Sequence, residues 1–323
     1  MATARGPARS RGGEGQQELA GMPTRLYPCT PTRLTTWLDC PRRYRFAYLD
    51  RPQPPKGPPW AHNSIGAAVH SALADWYGLP IHRRTPQEGQ RLVRKRWLSE
   101  GFRDDEQSAQ AADRAVGWVF EYLNGVDPAF EPVGVERTVS TPTRTLVLSG
   151  RVDRIDDRPA VHPAQTGDLL NSDPDDDDEI PPDPGGLVIV DYKTGRYVPD
   201  GDDARSSLAL AVYAVSAART LRRPCSRVEL HHLPSGTRAV AQHSPAGLER
   251  KVAEAESIAA DCSRADEAFR AGDRGDAVFA PKPSGQCSWC DFRRHCPEGQ
   301  AAAPEREPWS SVVGLPPVRS AQS

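Results

Sequence analysis

Apolar residues recur along this chain in two rhythms, and the change from one to the other divides it. Ile65, Val69, Leu73 and Trp76 fall four, four and three apart, the stripe of an amphipathic helix, with Asn63 or Ser64 placed to cap it and Gly78 to end it. Leu92, Val93 and Trp97, then Val116, Val119, Phe120 and Leu123, carry helical spacing through residues 86–124, read as a helical insertion or lid. From residue 133 the period drops to two. Val133, Val135, Thr138 and Val139, then Leu146, Leu148 and Val152, predict an antiparallel pair of strands. The unbroken run Leu187–Val190, opened by glycines and closed by Thr194-Gly195, predicts a short strand buried on both faces. A helix follows over Ala204–Leu221, a strand over Arg227–Leu233 and a long amphipathic helix over Ala246–Arg270. Near the start, Thr32 is the candidate cap of a helix carrying Leu34, Trp37 and Leu38, followed by a second short helix with Tyr44, Phe46, Tyr48 and Leu49. Mixed strands and helices make the expected class α/β.

Composition sets the outer limits. Residues 1–26 are Arg/Gly-rich and read as a disordered basic tail, 51–59 as a Pro-rich linker, and 301–323 as a Pro/Ala/Ser tail. Residues 157–185 are nearly devoid of apolar side chains and contain the acid run Asp173, Asp175–Glu179, read as a disordered, solvated insertion rather than a calcium loop. The formal net charge is -2, but without that run the body is mildly basic. No stretch of ~18 apolar residues is present, and the N-terminus lacks the apolar core of a secretory signal, so a cytoplasmic protein with no membrane partner is expected. Arg42, Arg43 and Arg45 interleave with aromatics; a nucleic-acid surface and an ordinary helix with solvated arginines explain that pattern equally well.

The strand at 187–190 delivers charge at its end. Asp191 and Lys193, two apart, leave one face of an extended chain while Tyr192 leaves the other. Such a pair can be a plain strand-end ion pair; Glu249 and Lys251 repeat the spacing inside a predicted helix. A second acid near the same place would give the pair a use, because two carboxylates can hold a divalent cation beside a lysine that orients water. Asp153 ends the predicted strand Leu146–Val152 and is that candidate; Glu136, on the strand before it, can approach the site or face solvent. The pair His231–His232 fits strand alternation and reads as structural. Three cysteines, Cys287, Cys290 and Cys296, lie so close that one more thiolate would complete a site for zinc or a [4Fe-4S] cluster. Cys29, Cys225 and Cys262 read as ordinary thiols.

Gly150-Arg151-Val152-Asp153-Arg154-Ile155, followed by a buried strand ending Asp191-Tyr192-Lys193-Thr194-Gly195, resembles the RecB-type branch of the PD-(D/E)XK nuclease superfamily. The resemblance spans roughly residues 30–297 and implies a restriction-endonuclease-like mixed sheet flanked by helices. It implies that His70, Asp153, Asp191 and the Tyr192 carbonyl hold one or two Mg2+ or Mn2+ ions, with Asp153, Asp191 and Lys193 catalytic. It places Tyr213, Arg151 and Arg154 at the substrate, although Ala209 stands where related nucleases carry a glutamine. It assigns Cys40, Cys287, Cys290 and Cys296 to a [4Fe-4S] cluster, with residues 27–59 and 286–300 forming a cap that joins both termini to a core at 60–285. The implied activity is exonucleolytic cleavage of DNA, at single-stranded ends, in repair or recombination. The alternative is a DNA-end-binding subunit active only with a helicase or recombination partner, since no Gly-x4-Gly-Lys-Ser/Thr phosphate loop is present. Zinc-stabilised RNA binding is a third reading.

Overall fold

In the computed structural model, residues 26–159 and 185–313 are described. The acid run and both outermost tail segments, residues 1–25 and 314–323, lie outside them. A six-stranded mixed sheet forms the centre. β1 (Tyr27–Cys29) pairs in parallel with β3 (Leu146–Arg158), which pairs antiparallel with both β2 (Gly134–Pro142) and β4 (Gly186–Lys193). β4 runs parallel to β5 (Cys225–His232), and β6 (Thr237–Gln242) closes the edge antiparallel to β5. The expected mixed sheet flanked by helices is present, with two strands, β1 and β6, that periodicity did not mark.

Alternation along β4 explains the two layers. Val188, Val190 and Tyr192 face a cluster built from α3 (Ala61–Tyr77), α4 (Pro86–Arg96) and α5 (Asp105–Asn124). Leu187 and Ile189 face the other way, onto α7 (Leu208–Leu221). α3 carries the anticipated stripe, with Ile65, Val69, Leu73 and Trp76 all buried. α4 and α5, the region expected to be a helical insertion or lid, cover one sheet face: Val93, Ala115 and Val119 sit in the same cluster as Val190.

Helix boundaries follow local chemistry. Thr30, two residues before the expected Thr32, caps α1 (Pro31–Asp39) by accepting the Arg33 N–H, and Pro31 starts the helix because its missing N–H costs nothing there. α2 (Pro41–Tyr44) continues into one π turn over Arg45–Leu49. The single helix expected over Ala204–Leu221 is two. α6 (Gly201–Ser206), capped reciprocally by Asp200 and Asp203, stops at Ser207, whose extended backbone lets its hydroxyl cap α7. α8 (Pro245–Arg270) packs with α1, β1 and β3 around Leu34, Tyr44, Leu148 and Phe279, the last from α9 (Asp276–Phe279). α10 (Pro297–Ala302) follows the cysteine segment. The Pro-rich linker is tied to that segment: Gly57 N–H donates to the Asp291 carbonyl (2.8 Å) and Trp60 meets Trp289 at 5.0 Å. Residues 301–313, read as part of a tail, instead bring Trp309 and Val312 onto the α3–α5 cluster. β3 runs to Arg158, so ordered strand reaches past the expected start of the acidic insertion.

Candidate active site

Three elements meet at the C-terminal end of β4. α3 brings His70, which contacts two groups at once: Nδ1 lies 3.3 Å from Asp153 Oδ1 and Nε2 lies 3.1 Å from the Tyr192 carbonyl oxygen. β3 brings Asp153, whose other oxygen accepts the Tyr192 backbone N–H at 2.9 Å. β4 supplies Asp191 and Lys193 on one face, with Lys193 Nζ 2.6 Å from Asp191 Oδ2. His70, Asp153, Asp191, Tyr192 and Lys193 are thus brought together.

Glu136 joins them. In the β2–β3 register it stands opposite Asp153, between the paired residues Val135 and Arg137. His70, Glu136 and Asp153 offer ligand atoms all within 4.8 Å of one another. Asp191 is outside that tight set, and it is the acid that Lys193 contacts. Glu136 has a backbone φ of 47°, left-handed for a non-glycine residue inside a strand, at a cost on the order of 1–3 kcal/mol. Arg151 Nε contacts Glu136 Oε2 at 2.9 Å and is 71% exposed, so it faces outward beside the site.

The electrostatics are those of carboxylates crowded in a half-dry cleft. Burial raises Asp191 above the usual carboxylate range; Lys193 pulls it back and Asp153 pushes it further up. Burial, then the Asp153 charge, raise Glu136 as well. Burial opposes charge on His70, but the hydrogen bond and charge of Asp153, with Asp191 and Glu136 behind, outweigh it and lift the imidazole above its ordinary value. A group of acids that resists full ionisation in the absence of a counter-charge fits a divalent cation, and the donors present, carboxylate, carbonyl and imidazole, suit Mg2+ or Mn2+.

Tyr213 on α7 reaches this face. Its ring lies over Gly150, where a Cβ would come within 2.3 Å of Cε1, and burial followed by Asp191 and Asp153 raises its phenol.

Arg154 is the correction. Alternation along β3 sends it to the opposite face from Asp153, into the core, where it is 4% exposed. Its Nε and Nη2 donate to Asp156 at 2.8 and 3.0 Å, and Nη1 donates to the hydroxyls of Tyr77, Tyr122 and Tyr192. A guanidinium buried to 4% exposure and bonded to four core side chains is out of reach of substrate. The network continues from Tyr122 to His231 Nδ1 (2.8 Å) and from His231 Nε2 to Glu229 (2.7 Å). Glu229 is ionised and can only accept, so Nε2 carries the proton, Nδ1 accepts from Tyr122, and the Tyr122 oxygen remains free for Arg154. His232 contacts Ser235 Oγ and the Gly195 carbonyl, so both histidines of the pair are structural.

The four cysteines of the expected cluster line one cavity of about 50 Å3, together with Arg42, Phe46, Lys282 and Gly299. Lys282 N–H points at Cys40 Sγ (3.5 Å) and Ser284 N–H at Cys287 Sγ (3.4 Å). Cys29, Cys225 and Cys262 are buried elsewhere, and burial raises all three thiols, Cys29 to about 11 and the other two to about 12.

Among the described residues no helix is long and apolar enough to cross a membrane. No curated protein matches the chain. A family model described as the PD-(D/E)XK nuclease superfamily matches residues 28–163 and 178–297.

Proposed function

Because this chain belongs to the PD-(D/E)XK nuclease superfamily, whose members are metal-dependent nucleases, we propose that it is a DNA exonuclease of the RecB-type, iron–sulfur branch, trimming single-stranded ends in repair or recombination. The observation that carries the reading is the convergence of His70, Asp153, Asp191 and the Tyr192 carbonyl beside Lys193. His70, Asp153, Asp191 and the Tyr192 carbonyl would hold the metal, with Glu136 in reach. Mg2+ or Mn2+ bound there supplies Lewis-acid polarisation of the phosphate and lowers the pKa of water. Lys193, half-exposed and anchored by Asp191, orients the attacking water and offers positive charge to the phosphoryl oxygens as charge builds on them. Arg151, at the rim, is placed to take a neighbouring phosphate.

Two features support one shared site for the four thiols, which is read here as a [4Fe-4S] cluster. The four thiols border one cavity. Backbone N–H groups already point at two sulfurs, and Gly299 leaves open the space where a Cβ would lie 3.4 Å from Cys296 Sγ.

The test is degradation of end-labelled single-stranded DNA by anaerobically purified protein with Mg2+ or Mn2+, beside Asp191→Ala and Lys193→Ala. Metal-dependent loss of label in the wild type alone, from protein with visible cluster absorbance in all three samples, is the expected result. Equal activity in Lys193→Ala, or no cleavage by cluster-replete wild type with either metal, overturns the reading.

A further inference from the structure

We propose that Tyr197 is a stacking platform for an unpaired nucleobase beside the hydrolytic centre, an inference that rests on the nuclease reading above and deepens it. Tyr197 is 67% exposed, the highest value among the large hydrophobic side chains left in solvent in the described residues. Val198 beside it is also exposed, at 46%, and Arg196 on the other side is exposed too. Single exposed apolar residues are ordinary, but an adjacent pair flanked by a cation forms a small apolar ledge with charge at its edge.

Position gives the ledge a use. Tyr197 follows Lys193 by four residues, so its backbone lies within ~14 Å of the catalytic lysine. The intervening turn is fixed at both sides. Thr194 lies against α3 at Gly66, one helical turn before His70, and the Gly195 carbonyl contacts His232 Nε2 at 2.8 Å. The ring is also held. Its hydroxyl donates to Asp203 Oδ2 at 2.8 Å, and that same oxygen accepts the Asp200 N–H in the cap of α6. The tether ties the phenol edge to a helix terminus and leaves the ring face to solvent. Holding an aromatic side chain in one orientation before ligand arrives removes ordering cost from binding.

The chemistry selects the occupant. A flat apolar face is matched by a nucleobase, and every base has one, so the contact tolerates any sequence. Lys193, three residues before Arg196, and Arg151, which contacts Glu136 beside the site, are like Arg196 exposed cations, and such charges match a phosphodiester backbone. Bases inside a duplex are already stacked, so the ledge favours an unpaired strand.

The test separates base from backbone, and binding from cleavage. Dissociation constants are measured by fluorescence anisotropy in Ca2+ buffer for fluorescein-labelled decathymidylate and for an abasic decamer of the same charge, with wild type, Tyr197→Ala and Tyr197→Trp. The expected result is an approximately tenfold loss of decathymidylate affinity in Tyr197→Ala, no change on the abasic strand, and recovery in Tyr197→Trp. Unchanged decathymidylate binding in Tyr197→Ala, an equal loss on both strands, or no binding of decathymidylate by wild type overturns the proposal. Each of these leaves the metal-dependent cleavage by wild type, scored separately above, untouched. The cap of α6 is made by Asp200 and Asp203 without Tyr197, and equal melting temperatures will confirm that the variants are folded.

Discussion

Replacing Arg154 with leucine removes the cation that holds both oxygens of Asp156 at hydrogen-bond distance. Asp156, 1% exposed, loses both short bonds and is left with Arg158 at 3.9 Å; three tyrosine hydroxyls lose their shared donor. Stranding one member of a buried ion pair costs about 3–5 kcal/mol, to be set against a total stability on the order of 5–15 kcal/mol. The prediction is therefore a loss of about 4 kcal/mol in Arg154→Leu. Removing the stranded carboxylate as well should return part of it, so Arg154→Leu with Asp156→Leu should be less destabilised than the sum of the two single changes by roughly 1–3 kcal/mol. Urea unfolding followed by tryptophan fluorescence and circular dichroism measures all four proteins of the cycle. A loss below about 1 kcal/mol in Arg154→Leu, or strict additivity in the double variant, would refute the account of Arg154 as a core anchor and return it to the surface role suggested by its neighbours in sequence.

Two further outcomes follow from the same physics. Burial opposes charge on Glu229, but the His231 hydrogen bond with Arg158 and Arg227 outweighs it and lowers the carboxyl to about 2, below its unfolded value near 4.5. Its contribution, about 3 kcal/mol, is fully present above pH ~4.5 and is lost as pH falls toward 2. Glu229→Gln should flatten the acid limb of a stability-versus-pH profile, and an unchanged limb counts against this assignment. Gly150→Ala should push Tyr213 off the active-site face, because the new methyl would meet its ring at 2.3 Å; overpacking of this kind costs about 1–3 kcal/mol. The melting temperature should drop and recover when Tyr213→Ala is added, and independence of the two changes argues against the contact.

The site was legible where a short period fixes sidedness. Two-residue alternation put Asp191 and Lys193 together and Tyr192 opposite, and the β4 contacts agree. The same alternation, applied to Val152-Asp153-Arg154, sends Arg154 inward; reading the arginine as a substrate contact ignored the pleat. Other features depend on partners distant in sequence. Glu136 acquires its place only through register with β3, and its left-handed backbone has no local signature such as glycine or asparagine. β1 is three residues long and exists because the edge of β3 accepts it. The break between α6 and α7 falls at Ser207, whose residue type favours caps over helix interiors, a local signal that the helical period running through 204–221 masks. Residues 86–124 carry a clear helical period, but periodicity gives a face and not its destination, so their packing over the sheet was not legible.

The cavity shared by Cys40 and the three late cysteines sets a timetable for the chain's synthesis. Lys282 reaches Cys40 across 242 positions, and Cys287, Cys290 and Cys296 arrive later still. At translation rates near 5–20 residues per second, Cys40 waits roughly 12–50 s after it is made before its neighbours exist. Throughout that interval it lacks the three later thiols, and by the end of it the elements bearing His70, Asp153, Asp191 and Lys193 are already complete. A ribosome that stops between residues 193 and 296 thus releases a chain holding His70, Asp153, Asp191 and Lys193 with an unfinished thiol set, and thiol titration of such truncated products would distinguish them from the full-length protein.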